Sequence, residues 1–70
     1  MSNATYVAFV PKAQRDALRK ILDTEDTTPL TWREHKSMFG SEFYFSGPTV
    51  LARKAQAYVT EWVIWTKELA

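Results

Sequence analysis

Cysteine is missing from this chain of 70 residues, and at that length the absence narrows the possible folds more than any other feature. Burial in a domain this small barely offsets chain entropy, and a disulfide or a structural metal usually closes the gap. Without thiols, disulfides, thiolate metal sites and cysteine nucleophiles are all excluded. The core must come from rings instead. Three Trp, three Tyr and four Phe supply it, since each ring buries about 150–250 Å². So much apolar area in so short a chain also points to a second subunit or a partner covering part of it.

Residues 5–10, Thr-Tyr-Val-Ala-Phe-Val, form a run in which neither alternate set is polar, which predicts an interior strand covered on both sides. Pro11 ends its ladder and suits the first turn of a helix. Over residues 12–23, Ala13, Ala17, Leu18, Ile21 and Leu22 recur at helical spacing opposite Lys12, Arg15, Asp16, Arg19 and Lys20, an amphipathic helix. Residues 24–29 lack periodicity and read as an acidic surface loop. A β-hairpin follows, with strands over 30–38 and 41–46 and its tip at Phe39-Gly40 or Gly40-Ser41; a short helix over 32–39 is the competing reading.

Ser46-Gly47 and then Pro48 and Thr49 open a second helix that runs to the end. Leu51, Ala55, Tyr58, Trp62, Trp65 and Leu69 alternate at spacings of four and three along it, with Val59 and Val63 widening the stripe. A coiled-coil seam wants at least three heptads, so a face packed on a sheet is the preferred reading. The expected fold is therefore α+β, a βαββα domain with two helices on one face of a short, mainly antiparallel sheet. It spans residues 5–70, behind a disordered stretch at 1–4. With Phe45-Ser46-Gly47-Pro48 leading into a helix, this order resembles a ferredoxin-like or sporulation-related-repeat domain lacking its last strand. That likeness implies architecture and no activity.

Nine Lys/Arg against eight Asp/Glu leave a formal charge of +1, too little to steer the whole molecule towards nucleic acid or membrane. The start, Met1-Ser2-Asn3-Ala4, is polar, without the apolar stretch of a signal peptide, and no run approaches the ~20 apolar residues of a membrane span. A cytoplasmic location is expected.

Hairpin parity carries the functional expectation. A two-residue turn at Gly40 sets odd residues of the first strand opposite even residues of the second. Arg33, His35, Glu42 and Tyr44 then gather on an open face, a candidate partner-binding cluster, while Trp32, Phe43 and Phe45 lie under the helices. Glu34 and Lys36 misfit the apolar face and must snorkel or pair at the edge. His35 is the only histidine, and neither a nucleophile elbow nor a phosphate loop nor a metal-ligand spacing accompanies it. We therefore expect no enzyme activity, cofactor or metal. The leading expectation is a protein-interaction module, homodimeric or binding and modulating a larger protein. Weak nucleic-acid binding is the alternative, through Lys12, Arg15, Arg19 and Lys20 on the first helix together with the hairpin face. For self-association the candidates are Ile64 and Trp65, unless the two helices pack together and hide Trp65 within the monomer.

Overall fold

A computed structural model describes residues 2–67. It arranges them as β1 (Asn3–Pro11), α1 (Lys12–Thr24), β2 (Thr31–Lys36), β3 (Gly40–Pro48) and α2 (Thr49–Lys67). One antiparallel sheet holds the strands in the order β1-β3-β2, so the α+β class and the βαββα order are those the pattern predicts. Strand β1 begins at Asn3, and the Ser2 carbonyl accepts the Thr49 N–H at 3.2 Å. Asn3 and Ala4 thus belong to the sheet, not to a disordered lead.

Strand β1 is an edge strand rather than an interior one; β3 takes the middle. Burial follows one side of β1 alone. Ala8 and Val10 are buried, whereas Val7 and Phe9 are 45% and 52% exposed. Apolar runs report composition, not neighbours, and a three-stranded sheet with a single helix layer has only one face to cover.

Phe43 and Phe45 of the middle strand are buried with Leu18, Ala52 and Val59. The Trp32 ring tilts against Phe43 at 6.0 Å between centroids. Each phenylalanine stabilises the fold by about 1.5–3 kcal/mol through area removed from water.

Both helices bury a line displaced from the predicted one. In α1, Gln14 and Leu18 are buried while Ala13 and Ala17 are exposed. Gln14 turns inward because its Nε2 donates to the Val63 carbonyl (2.8 Å) and to Thr66 Oγ1 (2.6 Å), which ties α1 to α2. In α2 the buried line runs through Ala52 and Val59, with Ala55, Trp62 and Val63 half-buried. Leu51, Tyr58 and Trp65 lie to one side of it, exposed. Small residues let the helix approach the sheet closely, and a periodicity count weights them least. The predicted stripe also included Leu69, which lies outside the described residues.

The hairpin closes at Lys36↔Ser41, two positions earlier than a two-residue turn at Phe39-Gly40 would place it. Met38 and Phe39 therefore stand at the tip, 80% and 76% exposed, rather than on the sheet faces. Hydrogen bonds explain the shifted turn, which closes across Met38-Phe39. The Gly40 carbonyl accepts from the Ser37 N–H (2.7 Å), Ser37 Oγ (3.0 Å) and Arg15 Nη1 (3.0 Å), while the Phe39 carbonyl accepts the Lys12 N–H (3.0 Å). The start of α1 thus holds the tip. Gly47, at the other end of β3, has φ +150°, and a methyl group there would stand 2.8 Å from Leu30 Cδ2. Only glycine meets both conditions without strain.

Candidate interaction surfaces

A shift of two residues preserves side-chain parity, so the shorter hairpin leaves the predicted cluster on one face. Arg33 pairs with Tyr44 and His35 with Glu42 across β2 and β3. Both helices lie on the opposite side, over Phe43 and Phe45. The Arg33 guanidinium stacks on the Tyr44 ring, 5.2 Å from its centroid, and Tyr44 Oη donates to Glu42 Oε1 at 3.2 Å. Together with Glu34 these four residues line a shallow cleft of about 390 Å³. Partial desolvation, and then the bond to Glu42, push the Tyr44 hydroxyl above its ordinary range, with Arg33 pulling the other way. It stays a neutral donor.

Register adds two residues that an interior strand would bury. Val7 pairs with Tyr44 and Phe9 with Glu42, so both extend the open face onto β1. The Phe9 ring lies across Gly40, its Cζ 2.7 Å from where a methyl group on Gly40 would stand. Their signal was in plain view, since an alternate set that is apolar on an edge strand is either buried or waiting to be.

The basic side of α1 is largely consumed by the fold. Arg15 clamps the Ser37 and Gly40 carbonyls, each at 3.0 Å. Arg19 forks onto Glu34 through Nε (2.6 Å) and Nη2 (2.9 Å) and reaches Asp16 at 2.9 Å. This pairing resolves the misfit of Glu34, whose side chain is only 8% exposed. Lys12 and Lys20 remain exposed, too sparse for a phosphate track.

A second apolar surface lies on α2. Thr66, which bonds Gln14 of α1, lies on the same side of α2 as Trp62, so the flank carrying Leu51, Tyr58, Trp62 and Trp65 lies on the α1 side of the helix rather than past β1. Trp65 is 75% and Tyr58 57% exposed, so the helices do not hide Trp65 between them. A groove of about 510 Å³ runs along this flank between Tyr58, Glu61, Trp62, Trp65 and Thr66. Ile64 is also exposed, but one residue further round, on the outer side of the helix.

Among the described residues no three His, Asp or Glu side chains converge to hold a metal ion, and no helix is long and apolar enough to cross a membrane. Among the described residues, fold and surfaces together define a two-layer α+β protein whose sheet is covered on one face and bare on the other. No protein-family model, curated protein or solved structure matches the chain.

Proposed function

We propose that this is a non-enzymatic protein-interaction module of the cytoplasm, acting as a homodimer or docked on a larger protein, with the open sheet face as its contact surface. One observation carries the reading: Val7 and Phe9 are about half exposed beside the Arg33–Tyr44 stack, on a face that no helix covers. Arg and Tyr are the residue types that dominate binding hot spots, and an apolar row beside them supplies the water-excluding rim. The chain of contacts from Arg33 through Tyr44 to Glu42 holds the polar groups in place before a partner arrives, which lowers the entropic cost of docking. Catalysis is disfavoured by the same geometry, because Tyr44 is moved away from ionisation and His35 has a carboxylate opposite it but no nucleophile.

The test is capture of proteins from an extract of the native host on the immobilised chain, comparing wild type with the Arg33→Ala, Tyr44→Ala double variant. We expect a partner retained by the first and lost by the second, a drop of about thirtyfold or more for a hot-spot pair. Identical capture by both, with circular dichroism showing both folded, would overturn the assignment of this face.

Single-stranded nucleic acid is the second reading, favoured by the exposed Phe9 ring beside Tyr44 and Arg33, which form a small stacking platform. With Arg15 and Arg19 engaged elsewhere, the expected binding is weak and steeply salt-dependent. Sub-micromolar affinity for a single-stranded oligonucleotide at physiological salt would rank this reading first.

A further inference from the structure

We propose that the groove on the α2 flank is a binding site for a small organic cation bearing a quaternary ammonium group, held by the rings of Tyr58, Trp62 and Trp65 and by the Glu61 carboxylate. The site lies apart from the open sheet face, so it stands or falls independently of the function proposed above.

Helical spacing builds the cluster. Positions three and four apart are neighbours on one face, with roughly 5–6 Å between Cβ atoms, and Tyr58, Glu61, Trp62 and Trp65 of α2 stand in that relation. Glu61 and Trp62 share the middle turn. Tyr58 lies one turn before them and Trp65 one turn after. With Thr66 these side chains line a groove of about 510 Å³, within the range of small-molecule sites. Helix α1 meets α2 through Gln14 at Val63 and Thr66 and leaves Tyr58 and Trp65 exposed.

Three observations select the chemistry of the occupant. First, the rings are free. Among the described residues the ring pair is Trp32 with Phe43 and the ring-stacked cation is Arg33 on Tyr44, so the faces of Tyr58, Trp62 and Trp65 carry no stacking partner. The negative face of an aromatic ring attracts a cation, tryptophan most strongly, and rings gathered around one point act together. Second, the charge is complementary. Among the described residues Glu61 is the one charged side chain lining the groove, and the ion pairs are those of Arg19 with Asp16 and Glu34, which leaves the Glu61 carboxylate without a cation. Anions and zwitterions are thereby disfavoured. Third, hydrogen-bonding capacity is scarce. Thr66 Oγ1 already accepts from Gln14 Nε2 at 2.6 Å and donates to the Trp62 carbonyl at 2.8 Å. A primary ammonium brings three strongly hydrated N–H donors to walls that are mainly apolar. A quaternary ammonium brings none and presents its charge through methyl groups that pack on rings.

Titration of the full chain with choline at low salt, followed by tryptophan fluorescence and calorimetry, tests the site. The control is choline's neutral carbon isostere, in which a tert-butyl group replaces the trimethylammonium. Choline is expected to bind in the millimolar range or tighter, and about tenfold more tightly than the isostere, a margin that rings and a carboxylate together can supply. Trp65→Ala, at an exposed position, is expected to weaken choline about tenfold and Glu61→Gln about threefold, the second effect shrinking as salt screens the carboxylate. Betaine, whose own carboxylate meets Glu61, is expected to bind more weakly than choline. Equal affinity for choline and its isostere would make the groove an unselective apolar cleft and overturn the proposal, as would the lack of saturable choline binding below about 50 mM. Choline binding left unchanged by both variants, each folded by circular dichroism, overturns it too. A trimethyllysine peptide that binds at least about a hundredfold more tightly than choline moves the cation onto a protein partner and sinks the small-molecule assignment. If the choline response disappears as protein concentration rises and sedimentation shows a dimer, a second copy fills the groove and the cation site is refuted.

Discussion

Glu34 faces the helices from β2 and is the carboxylate on which the α1–sheet contact turns. The Arg19 fork, followed by the Ser41 hydroxyl, outweighs its desolvation and holds its pKa well below the usual range, at about 2. The unfolded value is near 4.5, so the folded state binds this proton less tightly. Its stabilising contribution is present in full above about pH 4.5 and is lost as pH falls from there towards 2. Urea titrations are expected to show wild type losing stability across that window more steeply than Glu34→Gln. Asp26, lowered by its bonds to Thr28, acts in both proteins and cancels in the comparison. At neutral pH, Glu34→Gln is expected to cost about 1–3 kcal/mol, because Arg19 and Ser41 lose a charged acceptor. Equal pH profiles for the two proteins would remove the pair from the account. Gly40 makes a different demand. A methyl group there would collide with the Val10 carbonyl and approach Pro11 Cα to 3.0 Å, and backbone atoms cannot swing aside. Gly40→Ala is expected to destabilise by about 1–3 kcal/mol, read as a lower urea midpoint.

At the level of elements, hydrophobic periodicity located both helices and all three strands within a few residues, and hairpin parity placed Arg33, His35, Glu42 and Tyr44 on one face. Such features are legible because they depend on a repeat of two or 3.6 along one segment. What failed required knowledge of the neighbour. Nothing within residues 5–10 distinguishes an apolar strand at the edge from one in the middle, so the pattern alone buries Val7 and Phe9. Arg15 and Arg19 looked like a solvated basic face because their partners, the hairpin tip and Glu34, come from distant segments. Gln14 is the sharpest instance, a polar residue buried at the point where α1 meets α2. Gln14→Ala is expected to cost about 1–2 kcal/mol by leaving the Val63 carbonyl and Thr66 hydroxyl one partner short. Hydrogen exchange should then quicken in the last turns of α2, while the β3 amides of the middle strand keep their protection. Uniform loss of protection would mean that α2 does not open independently.

For the whole molecule the question is how a staple-free chain of 70 residues stays folded with a bare sheet face and an apolar helix flank. Few large side chains are fully buried, among them Phe43, Phe45, Leu18 and Val59, a small core even with half-buried Trp32 and Trp62 against it. A monomer with this inventory sits near the low end of domain stability. Association as a homodimer, as proposed above, would couple folding to association, so that stability depends on protein concentration. For a dimer that unfolds to separate chains, each tenfold rise in concentration adds about 0.7 kcal/mol per chain, half the tenfold increment. In a domain of this size that shifts Tm by roughly 3–5 °C. For a homodimer the wild-type Tm is therefore expected to climb by that amount per decade of concentration. The Arg33→Ala, Tyr44→Ala variant should melt at one temperature at every concentration. Should wild type do the same, the small core suffices on its own, and its aromatic surplus is held in reserve for a partner of another sequence.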